Sequence, residues 1–140
     1  MRLSLQPSTD RGDYGFAHRV RVRFAETDAM GVVHHASYLA YLEEARVEYL
    51  RSAGHPYPEL RAEGIDLVVL EVAMTYLRSA SFDDVITVHL AVGARTRTTF
   101  QVAYLLEVAE VPCATGVTVH GAVDTSGRAT RLPPWLATTP

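Results

Sequence analysis

The stretch "FAETDAMGVVHHASYLAYLEEAR", residues 24–46, brings Asp28, Gly31, His34 and His35 to the start of an apolar-periodic segment. A helix N-terminus carries partial positive charge and several N–H groups that have no partner within the helix. Such groups polarise a carbonyl and hold a developing oxyanion. A carboxylate a few residues earlier, Asp28, serves there as a general base on water or as a nucleophile. Gly31 supplies backbone freedom and lets a ligand approach closely. Together these parts suit acyl transfer. "TDAMG" reads equally as a turn, in which Thr27 and Asp28 bond local backbone and Gly31 closes the loop. Residue types alone leave both readings open. His34 and His35 are adjacent and should project in different directions. No further ligand stands at a metal-site spacing, so neither a metal nor a cofactor is expected. Glu43 and Glu44 fall on the solvated side of the helix, with Arg46 within reach of Glu43, and His89 and His120 are structural or surface positions in strands.

The elements that must position these residues follow from periodicity. "AHRVRVRF" alternates Val20, Val22 and Phe24 with Arg19, Arg21 and Arg23, which is a strand with one buried face. Tyr38, Leu39, Leu42, Ala45, Tyr49, Leu50 and Ala53 recur at three- and four-residue steps, a helix with a broad apolar stripe. Ser37 is its expected N-cap, and Gly54 with Pro56 beyond it the expected stop. Four strands follow. Their expected inner faces are Val68, Leu70, Val72, Met74 and Tyr76; Ile86, Val88, Leu90 and Val92; Phe100, Val102, Tyr104, Leu106 and Val108; and Val117, Val119 and Val123. Short turns between them predict a meander-like antiparallel sheet. One long helix and one sheet with apolar faces must cover each other. The fold class is therefore α+β, a long helix wrapped by an antiparallel sheet of about five strands. Leu67, Val69, Ala73, Leu77, Ala103 and Leu105 fall on the opposite face, and with open sheet edges they predict self-association.

The chain of 140 residues suits one domain at 17–134, with a poorly ordered lead-in at 1–16 and an irregular tail at 135–140 anchored by Trp135. A net charge of -3 argues against nucleic acid or an anionic membrane surface as a partner. No apolar run approaches the roughly 20 residues of a membrane helix, and no signal peptide is evident, so membrane insertion is not expected and a cytoplasmic location is. The single cysteine, Cys113, excludes an intrachain disulfide and reads as a packing residue.

The opening motif resembles the 4-hydroxybenzoyl-CoA thioesterase family, closest to the branch associated with the Tol–Pal cell-envelope system, whose members carry "DTD-x-x-GVVYH-x-x-Y". "VVLEVAMTYLRSASFDDVITV" resembles the family's second signature, and the resemblance spans about residues 18 to 133. It implies the hotdog fold, assembly as a dimer or dimer of dimers, and hydrolysis of an acyl-CoA to a free acid and CoA. It implies that Asp28 is the catalytic aspartate and that the backbone N–H of His35 polarises the thioester carbonyl. Gly31, Val32, His34 and Tyr38 fall at the substrate-binding positions of the motif, and His34 stands where the branch has tyrosine. Phe24 stands where that branch often has a tyrosine, so that hydroxyl is missing. Arg78, Arg95, Arg97 and Arg131 are candidates for the CoA phosphates. A hotdog dehydratase and a non-catalytic acyl-CoA-binding module are the rival readings.

Overall fold

A computed structural model describes residues 3–138. Strand β1 (Phe16–Arg21) leads into helix α1 (Ser37–Ser52), short helix α2 (Tyr57–Ala62), strands β2 (Asp66–Tyr76), β3 (Val85–Gly93), β4 (Thr99–Val108) and β5 (Val111–Val123), and short helix α3 (Pro134–Thr138). All strand pairs are antiparallel, in the order β1-β3-β4-β5-β2. The expected single meander therefore holds only for β3, β4 and β5. The connection after β2 crosses the end of the sheet, where Leu77 and Arg78 N–H donate to the Cys113 carbonyl. β2 thus becomes an edge strand paired to β5.

Helix α1 lies on the inner face of the sheet with Tyr38, Tyr41, Leu42, Ala45 and Leu50 buried. Tyr41 belongs to the stripe, whereas Leu39 is 43% exposed and Ala53 is also on the wet side. The narrower contact arises because the helix touches the sheet along one line of closest approach. A Cβ on Gly116 of β5 would meet Met74 Sδ at 2.6 Å and Leu42 at 3.4 Å, so a larger residue there would have to displace the Met74 side chain. Ser37 is the first helical residue rather than the cap. Ala36 occupies the cap without a side-chain bond, and the Ser37 hydroxyl donates to the Glu26 carbonyl instead. The C-terminal stop is as expected. Gly54 takes φ +84°, with Gly54 N–H on Arg51 C=O and His55 N–H on Leu50 C=O.

Two side-chain alternations differ from expectation. A bulge between Val69 and Glu71 shifts the β2 register, so Leu67 and Val69 face α1 together with Val72, Met74 and Tyr76, while Val68 and Leu70 turn outward. On β5 the inward positions are Ala114, Gly116, Thr118, His120 and Ala122, because Gly116 pairs with the inward Tyr104; Val117 and Val119 are buried on the other face. β1 ends at Arg21, and the chain turns through a 3-10 segment at Phe24–Glu26. Phe24 is therefore not in the core: it is 76% exposed, its ring edge-on to Phe82. Cys113 is buried, and burial pushes its thiol up to about 11.

Leu105 is fully buried on the outer face. There the segment before β1 lies across β3 and β4: Ser4 and Leu5 N–H donate to Gln101 Oε1, Leu5 sits against Gly93, and Arg11 pairs with Glu107 at 3.4 Å. The tail over its described residues is helical, and Trp135 stacks on His55 at 4.0 Å; residues 1, 2, 139 and 140 lie outside the described part of the chain. Among the described residues no helix is long and apolar enough to cross a membrane.

Candidate active site

The connection from β1 to α1 is pinned by isolated bridges between Thr27 and Val33 and between Val32 and Ser81. Asp28 N–H donates to Val32 C=O at 2.9 Å, and Gly31 N–H to Asp28 C=O at 3.0 Å. Gly31 holds φ +79°, a conformation that strains any side-chain-bearing residue. Asp28 Oδ1 accepts the Met30 N–H at 2.9 Å. The turn reading and the chemical reading are therefore compatible, because the turn occupies one carboxylate oxygen. Among the described residues Asp28 Oδ2 has no partner.

Just before α1 the backbone donors are almost all engaged. His34 N–H donates to Glu26 C=O at 2.8 Å, Ala36 N–H to His34 Nδ1 at 3.1 Å, and Ser37 N–H to His34 C=O at 2.9 Å. The Tyr76 hydroxyl holds the His35 carbonyl at 2.9 Å. His35 N–H is the exception, with no acceptor among the described residues. A trans peptide points its N–H opposite to its C=O. With the His34 carbonyl turned toward Ser37, the His35 N–H points the other way. The two imidazoles do not diverge as expected; they stack at 4.2 Å because the chain is already coiling into the helix.

Asp28, Val32, His35, Tyr38 and Arg78 line one groove of about 330 Å³, together with Met30 and Tyr76. Gly31 and His34 lie beside it in the same loop without lining it. Tyr38 is buried against the Tyr76 ring at 5.3 Å, and burial pushes its hydroxyl up to about 12, so it remains a neutral wall. Arg78 stands alone among the four arginines in lining the groove. Arg95 donates its Nε–H to Leu136 C=O, the Arg97 carbonyl accepts Leu132 N–H, and Arg131 adjoins Leu132. Those three gather where the β3–β4 turn meets the C-terminal segment.

A half-buried brace holds the loop. Glu26 accepts the Arg23 N–H at 2.8 Å and the Tyr41 hydroxyl at 2.8 Å on Oε1, and Arg23 Nε–H at 2.6 Å on Oε2. Its own carbonyl receives His34 and Ser37. Burial pushes the Glu26 carboxyl up, but these donors outweigh it and the net shift is downward from 4.5. The ionised carboxylate therefore stabilises the fold fully above about pH 4.5, and that contribution is lost as pH falls through the lower folded-state value. Glu26→Gln is expected to cost about 2 kcal/mol at pH 7. The difference from wild type in chemical denaturation should shrink steadily below about pH 4.5.

A model of the thioesterase-like superfamily matches residues 22–139. The chain belongs to the thioesterase-like superfamily. A crystal structure of a hypothetical protein from Aquifex aeolicus, 39% identical, superposes with a TM-score of 0.82 over 85% of this chain and 94% of that one. The DHNA-CoA thioesterase of Staphylococcus aureus, 25% identical, gives 0.80 over 83% and 79%. The acyl-CoA thioesterase YbgC of Haemophilus influenzae is 42% identical over 82 residues, 58% of this chain and 60% of that protein. The architecture is the hotdog fold, and the chain is a thioester hydrolase. Sequence reasoning about this thioesterase missed Glu26 as the loop's brace and Tyr76 as the clamp on His35. For Tyr76 a signal existed, since its alternation placed it on the inner face of β2. For Glu26 there was none, because nothing in "FAETD" marks that carboxylate as the acceptor for Arg23 and Tyr41.

Proposed function

We propose that this thioesterase hydrolyses acyl-CoA thioesters, with Asp28 as the base or nucleophile and the His35 N–H on the thioester oxygen. The observation that carries this is the pair of unengaged groups in one groove: a carboxylate oxygen of Asp28 and the backbone donor of His35. In the base route Asp28 takes a proton as water attacks the carbonyl carbon. The oxyanion rests on His35 N–H at the head of α1, the C–S bond breaks, and the proton passes to the leaving thiolate. In the nucleophile route an Asp28 oxygen attacks the carbonyl carbon, the C–S bond breaks to release the CoA thiolate, and water opens the resulting mixed anhydride to the free acid and the Asp28 carboxylate, one proton of that water passing to the thiolate. Arg78 at the groove supplies positive charge for the CoA phosphates. The likeness to acyl-CoA thioesterase YbgC supports the substrate class, and the opening motif supports placement nearest the Tol–Pal-associated branch. A thiol-release assay over short aliphatic, long aliphatic and aromatic acyl-CoAs should show release with at least one of them. CoA binding without release from any would make the chain a binding module, and a hydrated product would make it a dehydratase.

The active form in this proposal is a two-fold homo-oligomer. β2 is an eleven-residue open edge whose Val69, Leu70, Val72 and Tyr76 are 39–53% exposed. Such an edge is a template for pairing with a second copy, and closed symmetry favours a dimer. The Asp28 groove adjoins the Tyr76 end of that edge. Sedimentation during turnover should find activity only in the dimer or larger species; full specific activity in a monomeric sample would refute the oligomeric active form.

A further inference from the structure

One side chain distributes the backbone donors at the head of α1. Ser37 N–H donates to the His34 carbonyl at 2.9 Å, and Ala36 N–H donates to His34 Nδ1 at 3.1 Å. A residue that takes the second and third N–H groups after it, one on its side chain and one on its carbonyl, bonds as an N-cap does. Ala36, directly before α1, already holds helical angles of φ -74° and ψ -22° and offers no polar side chain. The capping role therefore falls two residues back, on His34. A backbone N–H only donates, so Nδ1 is the acceptor and the ring proton sits on Nε2.

The consequence falls on two successive peptide groups. The one joining His35 to Ala36 is held at both ends, its N–H by His34 Nδ1 and its C=O by the Tyr76 hydroxyl at 2.9 Å. The one joining His34 to His35 is held at its carbonyl by Ser37, and its N–H, that of His35, has no acceptor among the described residues. Without Nδ1, Ala36 N–H would become a second unpaired donor beside the first. The two would then compete for one oxygen, and the peptide between them would be pinned at one end instead of two. His34 does not line the Asp28 groove, and it is exposed, with its ring stacked on His35 at 4.2 Å. Its influence on the reaction therefore runs through the backbone.

We infer that His34 is a positioning residue for the hydrolysis: by taking Ala36 N–H on Nδ1, it leaves the His35 N–H as the donor presented to the thioester oxygen. This rests on the function proposed above and adds the group that sets its oxyanion donor. The ring offers two separable things, an acceptor at the δ position and a flat face against His35. His34→Asn gives up the face but keeps a side-chain oxygen at the δ position, and asparagine is a strong N-cap. His34→Phe keeps the face and gives up the acceptor.

Steady-state kinetics, with the acyl-CoA turned over fastest in the thiol-release series, and amide hydrogen exchange on the resting protein test the inference together. His34→Phe should lower kcat about fivefold, the contribution of one capping bond, with KM within about twofold because substrate contacts are untouched. His34→Asn should stay within about twofold of wild type in kcat. Ala36 N–H should exchange about fivefold faster in His34→Phe than in wild type or His34→Asn. His34→Leu, which also lacks the acceptor, stands in if His34→Phe does not fold. Wild-type kcat in His34→Phe, an equal loss in His34→Asn, or unchanged exchange at Ala36 in His34→Phe would overturn the inference. Asp28→Asn, run beside them, keeps the two readings apart. If it hydrolyses at the wild-type rate, or if wild type releases thiol from no acyl-CoA, the proposed mechanism falls and this inference with it. If Asp28→Asn loses turnover while His34→Phe does not, only the role of His34 falls.

Discussion

Asp28→Asn should lower turnover of a good acyl-CoA substrate by about 10²- to 10⁴-fold, the contribution typical of a positioned general base, and by more if Asp28 is the nucleophile. The substitution is close to isosteric. Its side-chain oxygen still accepts the Met30 N–H that Oδ1 accepts now. The bridges of the loop to Val33 and Ser81 do not involve the carboxylate, so the fold and the groove should persist. Only the proton acceptor or attacking oxygen is lost, and the change should therefore appear in kcat with KM little altered. His35→Ala provides the contrast. Alanine keeps the backbone N–H that has no acceptor among the described residues, and the Tyr76 clamp holds a carbonyl, not the imidazole. Its turnover should stay within about tenfold of wild type, since the helix-start donor is retained. Steady-state kinetics on the two variants decides the assignment: near-wild-type turnover by Asp28→Asn removes Asp28 from the mechanism, and a loss above about 10²-fold in His35→Ala moves the role to the imidazole.

Acidification should unfold the protein through His120. The ring is 2% exposed, stacked on Phe100 at 5.0 Å and bonded on both nitrogens. Burial, with the positive charge of Arg46 nearby, holds its pKa down to about 3, against the ordinary value of 6.5. Between those values the unfolded chain binds a proton that the folded chain refuses. Stability therefore rises with pH across that window and is complete above about 6.5. From pH 6.5 downward the loss approaches about 1.4 kcal/mol per pH unit, one proton's worth. Over three units that is about 4 kcal/mol, a large fraction of the 5–15 kcal/mol of a typical domain. Denaturant titrations at pH 7, 6, 5 and 4 should follow that slope. His120→Gln, which keeps a hydrogen-bonding amide, should start lower at pH 7 and flatten most of it. A wild-type curve that is flat between pH 6.5 and 4 would show that the buried ring is protonated at little cost. Glu26 acts in the same direction only below about pH 4.5, so the two contributions separate on the pH axis.

The residues of the Asp28 loop, the single long helix and the five strands were legible in the sequence because each rests on local information. Asp28, Gly31 and His35 stand within eight residues of one another, so no fold is needed to bring them near the helix start. The apolar period located α1, and Gly54 located its end, because a left-handed residue after a helix is a backbone requirement that glycine meets locally. The inner faces of β3 and β4 also followed, since strict alternation survives wherever no residue is inserted.

The tertiary structure decided what depends on distant pairing. One bulge at Leu70 turned Leu67 and Val69 inward and Val68 outward, and the run at residues 67–70 carries no mark of it, because all four of those residues are apolar and suit either face. On β5 the small and polar residues Ala114, Gly116, Thr118 and His120 face α1 in place of the valines, because pairing with β4 sets Gly116 opposite the inward Tyr104, which bonds Thr118, which in turn bonds His120. Only the folded chain separates Arg78, at the groove, from Arg95 and Arg97, which the β3–β4 turn carries to the C-terminal segment that holds Arg131. Only there does His35 N–H become the donor left over, since its neighbours are taken by Glu26, His34 and their surroundings through contacts the linear chain does not reveal. By itself the sequence determined which residues stand together at the start of the helix and the helix that presents them. Which of their atoms stay unpaired, and which charges share their groove, is set by long-range hydrogen bonds and strand register, because those engage every competing group first.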